Sequence, residues 1–416
     1  MRSSNPQPAP DPVVYLPGGP GGSALNTARY GFAYPFLQHR DFIIFEPRGA
    51  KYSQPALNCP EVAAARIEDS IRQPEGAVAG DAEVVAARKC REQLAGKGIE
   101  LSAYTTEAIA ADVDELRHVL GYSQWNLYGV SYGTRVALTI LKRFPGTIRS
   151  AVLDSVLPPS VRYDEQNRTS RARSFDLLFR DCEADPACRE AYPQLRARWR
   201  SVLSSTAQEG LRASTGAKGG GPPRDVVLSA EALADVIPLN ETGSLAGLPK
   251  LLAGIAANNA AELSQIARWL LQPSNYSWGL RYSVWCSEET PFVARSVTGK
   301  ERILISRRVC DAWNVRRVPK SAHRRVKSDV PVLLLSGEYD PETPPDWATK
   351  AAKTLPRAQA VVLRGMGHVP TQAWSMPCAM SLADAFLRSP NIPLDQGCAS
   401  KTSAPAFQVE PLQGKP

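Results

Sequence analysis

Short apolar runs and amphipathic stretches alternate along the first third of the chain. Val13–Leu16 and Phe42–Phe45 are apolar runs bounded by Pro, Gly and Asp, the pattern of short buried strands. From Thr105 to Tyr122 the period changes. Ile109, Val113, Leu116 and Leu120 recur at spacings of three and four, with Asp112, Asp114, Glu115 and Arg117 on the other side, which predicts an amphipathic helix. Trp125–Val130 reads as a strand, Tyr132–Phe144 as a helix that Pro145 stops, and Ile148–Val156 as another strand. Strands alternating with helices predict an α/β class with a mostly parallel sheet covered on both faces.

Beyond Leu157 the rhythm breaks. Arg-, Ala- and Leu-rich helical patterns run to Lys327, interrupted by Ser204–Asp225, which reads as a loop. The alternation returns with Val330–Gly337, an almost unbroken apolar run, then the strand Ala358–Gly365 and a closing helix over Ala379–Ser389. The organisation expected is a core from two stretches, 11–157 and 328–400, with a mainly helical insertion at 158–327 and a tail at 401–416.

Composition narrows the class. The 416 residues are 43% hydrophobic and 22% charged, globular values, and no apolar run is long enough for a membrane span. The net charge is +8, yet the basic residues are dispersed except over Ser306–Lys327. No zinc-finger, RNP or basic-zipper pattern accompanies that run, so it reads as a solvated or anion-steering face and no nucleic-acid partner is expected. Eight cysteines stand at Cys59, Cys90, Cys182, Cys188, Cys286, Cys310, Cys378 and Cys398 with no C-x-x-C among them, against a zinc ribbon or thioredoxin-like site. That number is generous for a reducing compartment, and four disulfides between sequence neighbours in an oxidising location are expected. Met1–Pro12 lacks the apolar stretch of a signal peptide, so the chain reads as a mature or truncated form.

The candidate chemistry starts at Gly129-Val130-Ser131-Tyr132-Gly133, a G-x-S-x-G between a strand and an alanine-bearing helix. Such a turn projects the Ser131 hydroxyl above the sheet and leaves the Tyr132 N–H facing a developing oxyanion. A serine hydroxyl needs a base. Of the four histidines, His118 sits within an amphipathic helix, His323 in the basic run and His39 ahead of a strand. His368 lies on a Gly-rich loop at the carboxyl end of a late strand, where open α/β sheets place their ligands. Glu338, Asp340 and Glu342 follow the strongest buried strand. Asp340, before Pro341, is the best candidate to orient the base, and Asp154 is read as a loop support. Pro17-Gly18-Gly19-Pro20-Gly21-Gly22, directly after the first strand, fits an oxyanion loop with Gly18 or Gly19 supplying the second N–H. No Lys-Ser/Thr follows it, so a phosphate cradle is disfavoured. No metal or organic cofactor is implied.

Together "LPGGPGGSA", "FEPRG", "GVSYG", "SGEYDPETPP" and "GMGH" resemble the proline iminopeptidase and tripeptidyl aminopeptidase group of α/β-hydrolases, in its secreted bacterial branch with a cysteine-bearing C-terminal segment. The resemblance spans Asp11 to Cys398. It implies an α/β-hydrolase fold with the insertion as cap, a periplasmic or secreted parent protein, and release of prolyl or tripeptidyl pieces from peptide N-termini by a serine hydrolase. It further implies carboxylates near the cap that bind the substrate amine, here Glu288 and Glu289, and a bond from Cys286 to Cys310. Two features depart from the group. Pro17 stands where its loop has His, and the antiparallel edge strands expected ahead of Val13 are missing, which would leave a sheet edge uncovered. The competing reading is a carboxylesterase with the same triad, whose cap aromatics Trp269, Tyr276, Trp278, Tyr282 and Trp285 line an ester pocket or simply fill the cap core. A non-catalytic binding module on the same scaffold is disfavoured by the intact Ser131, Asp340 and His368.

Overall fold

A computed structural model describes residues 1–71, 81–216, 222–294 and 304–409. Six parallel strands form the central sheet: β1 (Val13–Leu16), β2 (Phe42–Ile44), β3 (Trp125–Val130), β4 (Ile148–Asp154), β7 (Val332–Gly337) and β8 (Ala358–Leu363), in the spatial order β2-β1-β3-β4-β7-β8. A separate antiparallel hairpin joins β5 (Leu211–Ser214) to β6 (Asp225–Leu228). Every residue of β3 and β7 is buried, as expected for strands covered on both faces. The register pairs Leu16 with Gly129, Val130 with Asp154, Asp154 with Leu335 and Gly337 with Leu363. Parallel strands in this register end together, so the loops that leave β1, β3, β4, β7 and β8 emerge along one edge of the sheet.

On one face lie α1 (Pro60–Ile71), α2 (Asp81–Gly96), α3 (Thr106–Val119) and α4 (Tyr132–Arg143), which bury Ile109, Val113, Val136 and Ile140 with Val14, Leu127 and Leu334. Between β4 and β7 come α5 (Tyr163–Ala184), α6 (Pro186–Ala191), α7 (Leu195–Glu209), α8 (Ala230–Val236), α9 (Leu248–Ala256), α10 (Ala260–Leu270), α11 (Trp278–Glu288) and α12 (Arg307–Trp313). These divide by packing. The segments from α5 to α10 share their own core around Phe175, Trp199, Leu228 and Leu252, whereas α11 and α12 pack into the core under the sheet through Leu280, Trp285 and Trp313. Trp278 and Tyr282 belong to that core too, Trp269 packs half-buried against the other, and Tyr276 is exposed. Helices α13 (Pro345–Ala352) and α14 (Cys378–Arg388) flank the last strands, with Phe386 and Leu382 of α14 covering the other face against Tyr128, Val152 and Leu333.

Several expectations need correction. The stretch 204–225 is not a loop throughout: α7 continues to Glu209, Gly210 ends it at φ 69°, and the hairpin then buries Ala213, Val226 and Leu228. Residues 217–221, the tip of that stretch, lie outside the described residues, as do residues 410–416 of the tail. The apolar stripe of α3 stops short, because the helix ends at Val119 and Gly121 (φ 76°) turns the chain, which leaves Leu120 exposed. The edge at β2 is met at one position: the Met1 amino group donates to the Phe42 carbonyl at 2.6 Å, and the Phe42 N–H donates to the Met1 carbonyl at 2.9 Å.

All eight cysteines are paired, Cys59–Cys90, Cys182–Cys188, Cys286–Cys310 and Cys378–Cys398, each with a sequence neighbour. After the last of these the chain runs along β8, where the Arg364 N–H donates to Thr402 Oγ1 at 2.9 Å, and on to the α5–α10 group. There Phe407 enters the apolar core, the Gln408 N–H donates to the Ala246 carbonyl at 2.9 Å, and the Tyr192 hydroxyl donates to the Gln408 carbonyl at 2.8 Å. Among the described residues no helix is long and apolar enough to cross a membrane.

Candidate active site

Ser131 sits between β3 and α4 at φ 53° and ψ −122°, a strained backbone for a residue with a side chain. Its neighbours explain how the turn closes. A Cβ on Gly133 would lie 2.0 Å from the Leu16 carbonyl oxygen, and one on Gly129 would lie 2.7 Å from the Gly133 oxygen, so both glycines of the G-x-S-x-G are required by close backbone approach. The glycine loop after β1 comes back over the serine: a Cβ on Gly18 would be 3.2 Å from Ser131 Cβ and 3.7 Å from Oγ. Tyr132 is the first residue of α4, where a backbone N–H has no partner within the helix. Glu46, from the "FEPRG" segment, buttresses this loop from behind. Its Oε2 accepts the Ala24 N–H at 2.8 Å and the Ser23 hydroxyl at 3.1 Å.

The loops after β7 and β8 bring Asp340 and His368 together. His368 Nδ1 lies 2.8 Å from Asp340 Oδ2, and Thr343 Oγ1 donates to the same oxygen at 2.8 Å while standing 3.3 Å from Nδ1. Asp340 Oδ1 accepts the N–H groups of Glu342 at 2.8 Å and Thr343 at 2.9 Å. Asp340 is fully buried, which by itself would raise its carboxyl. The charge and hydrogen bond of His368 and the Thr343 donors outweigh this and hold it below the usual range. Burial likewise pushes the His368 imidazole down, but Asp340 and, more weakly, Glu342 and Asp154 bring it above its ordinary value. The His368 backbone is gripped from the inserted segment, its N–H donating to the Asn240 carbonyl at 2.8 Å and the Gly367 N–H to Thr242 Oγ1 at 3.0 Å. Glu338, the other loop carboxylate considered, turns to Arg180 and Arg364 at 3.5 and 3.7 Å.

Glu288 and Glu289, the carboxylates that the resemblance implies near the cap, lie at the end of α11. Glu288, at the end of α11, accepts the Thr106 N–H and hydroxyl, both at 2.6 Å, and Thr106 Oγ1 also meets the Tyr132 hydroxyl at 2.8 Å. Glu289 is fully buried in an ion pair with Arg135 and accepts the Tyr163 N–H at 3.2 Å. Both carboxylates meet donors of the fold, and Glu288 also lines a small cavity with Arg135, Lys142 and His323. Other carboxylates stand in the wall of a larger cavity. A cavity of 540 Å³ between α5, α7 and α8 is lined by Tyr163, Asp164, Asn167, Arg171, Phe175 and Glu342 among others. Glu342 Oε2 accepts the Tyr163 hydroxyl, and Arg171 stands 3.5 Å from Oε1. Asp164 is pushed up to about 7, first by burial and then by the nearby Glu289 charge, against the pull of the Leu304 N–H and Trp285 Nε1 that it accepts. Sequence reasoning missed this use of Glu342 and the roles of Thr343 and Glu46, although all three lie inside the motifs singled out. Among the described residues no group of three or more His, Cys, Asp or Glu could hold a metal ion.

The profile of the alpha/beta hydrolase fold family matches residues 11–371. The chain is 23% identical to the tripeptidyl aminopeptidase of Streptomyces coelicolor over 417 aligned positions, covering 90% of this chain and 73% of that protein. It is 29% identical to the serine protease Hip1 of Mycobacterium tuberculosis over 195 positions, 42% of this chain and 35% of that one. Carboxylesterase B of Mycobacterium tuberculosis is 33% identical over 189 positions, 42% of this chain and 36% of that one. A solved proline iminopeptidase from Mycobacterium smegmatis superposes with a TM-score of 0.46 at 14% identity, covering 94% of this chain and 93% of that one.

Proposed function

The chain belongs to the α/β-hydrolase family, and from that premise we propose that it is a serine aminopeptidase that releases short prolyl or tripeptidyl pieces from peptide N-termini. The observation that carries this reading over a plain esterase is the cavity beside the Asp340 loop, whose wall carries Asp164, Glu231, Asp235 and Glu342 against Arg168 and Arg171. A carboxylate beside the reacting centre anchors an ammonium group and so fixes how far from the free terminus the chain is cut. An ester substrate has no use for it. Likeness to the tripeptidyl aminopeptidase over 90% of the chain supports the same reading.

His368 takes the Ser131 proton as Oγ attacks the scissile carbonyl, and the negative charge that develops on the carbonyl oxygen meets the N–H groups of Tyr132 and of Gly18 or Gly19. Asp340, through Nδ1, fixes the tautomer and steadies the imidazolium, and Thr343 fixes Asp340. The imidazolium then gives its proton to the leaving amine as the C–N bond breaks. Water, deprotonated by His368, attacks the acyl-serine, and the proton returns to Oγ as the ester opens. Segment 158–327 acts as the cap over this site, and the four disulfides support a periplasmic or secreted location.

The test compares a peptide p-nitroanilide carrying a free amine, its N-acetylated form and a short-chain p-nitrophenyl ester, with Ser131→Ala as blank. Anilide cleavage that needs the free amine is expected. Ester cleavage with no anilide cleavage would make the protein a carboxylesterase, the reading that the likeness to carboxylesterase B favours. Equal rates for the blank and the wild type would remove Ser131 from the mechanism.

A further inference from the structure

The nucleophile and the base leave different strands, so something must set the distance between them. The end of β4, which lies between those strands, makes direct bonds to both loops. The Asp154 main-chain carbonyl accepts the Ser131 N–H at 2.9 Å. Its side chain turns the other way: Oδ2 accepts the Thr371 N–H at 2.8 Å and the Thr371 hydroxyl at 2.5 Å, three residues beyond His368. The next residue repeats the grip, with Ser155 Oγ accepting the Val369 N–H at 2.8 Å. Ser155 is itself tied into the sheet by its N–H to the Leu335 carbonyl at 2.9 Å.

We propose that Asp154 is a positioning residue that sets the separation of Ser131 and His368, its backbone holding the nucleophile and its carboxylate, with Ser155, holding the loop of the base. Three features make the bridge stiff. Asp154 and Ser155 are wholly buried, and Thr371 nearly so, which leaves no water to compete for these bonds. The Thr371 hydroxyl gives its proton to Asp154, so the Tyr128 hydroxyl, 2.6 Å from it, is the donor in that contact, and a chain of directed bonds runs Tyr128 to Thr371 to Asp154. Finally, Ser131, Ser155 and Val369 all hold left-handed backbone, at φ 53°, 61° and 57°. For a β-branched residue such as Val369 that conformation is costly and persists only where the surroundings enforce it. The bond from its N–H to Ser155 is such a restraint. Without the clasp the loop would relax and carry His368 with it.

This inference rests on Ser131 and His368 being nucleophile and base, and the test separates the two. Asp154→Asn, Thr371→Val and Thr371→Ser are compared with the wild type for melting temperature, for kcat and KM on the anilide, and for the rate of labelling by a fluorophosphonate, which reads the nucleophile and its base without any peptide subsite. For Asp154→Asn and Thr371→Val a kcat and labelling rate lower by roughly 10- to 100-fold are expected, with KM within about twofold, the size of effect that a displacement near 1 Å produces. Thr371→Ser, which keeps the hydroxyl, should recover most of what Thr371→Val loses. A folded Asp154→Asn labelled at the wild-type rate, or Thr371→Ser as impaired as Thr371→Val, would overturn the inference. Labelling of Ser131→Ala at the wild-type rate would instead overturn the assignment of the nucleophile. Peptide specificity can fail as a reading without touching the labelling result.

Discussion

Two pairs of carboxylates in this molecule have the same chemistry and opposite fates. Glu288 and Glu289, at the end of α11, are buried and meet donors of the fold itself: Thr106 for one, Arg135 and the Tyr163 N–H for the other. Asp340 and Glu342, after β7, point toward a base and toward a cavity. The difference is in what faces them. A buried carboxylate surrounded by fixed donors contributes mainly to the architecture. One that faces an imidazole or open space keeps its field available to a reaction. A local motif such as "CSEE" does not distinguish the cases, because the deciding partners come from far along the chain.

The sharpest way to separate the pairs is to remove one member of each. Asp340→Asn should lower kcat by about 10⁴-fold, since the imidazole loses both its tautomer and its counter-charge, with the melting temperature little changed. Glu289→Gln should do the reverse. Leaving Arg135 buried without its partner is expected to cost about 3–5 kcal/mol of stability in denaturant unfolding, while activity per fluorophosphonate-titrated site stays near wild type. If Glu289→Gln instead raised KM for free-amine peptides at full stability, the contrast between the pairs would collapse. Glu342→Gln is milder. A loss of roughly 1.4 kcal/mol, a tenfold rise in KM, is expected for a free-amine anilide and none for its acetylated form.

The smallest effect is on pH. His368 is raised above its ordinary value, so it becomes the neutral base only at higher pH, and the acid limb of kcat/KM should lie above about 6.5. Glu342 adds to that rise, so Glu342→Gln should move the limb to lower pH. The sign for stability is opposite. A histidine with a raised folded-state pKa stabilises the fold fully below its unfolded value, and that contribution is lost as pH rises through the folded one. The enzyme should therefore gain activity over the same pH window in which the His368–Asp340 pair stops stabilising it.

The strands were legible because their signal is local. Val332–Leu335 is apolar at every position and lies in the middle of a covered sheet, and Gly129 and Gly133, two residues either side of Ser131, are glycines because the Gly133 and Leu16 carbonyls pass too close for a side chain. The placement of Ser131, Asp340 and His368 could be read for a related reason: each follows a strand, and parallel strands end on one side. What could not be read depends on contacts distant in sequence. Glu288 finds Thr106 across 182 residues and Glu289 finds Arg135 across 154. The hairpin β5–β6 was hidden because its strands are short and its polar flanks resemble a linker. Thr343 was overlooked because a threonine after Asp-Pro-Glu looks like an ordinary turn residue until the imidazole is placed beside it.

The path of the chain after Cys398 has a mechanical consequence. The segment inserted between β4 and β7 is continuous with the sheet at its two ends, and its α11 and α12 pack into the core under the sheet, whereas α5–α10 form a core of their own. Thr402 is bonded to the end of β8, and a few residues later Phe407 and Gln408 are held in the α5–α10 group, so a separate stretch of chain links that group to the edge of the sheet. The α5–α10 group is thereby tethered by chain that comes from outside the insertion.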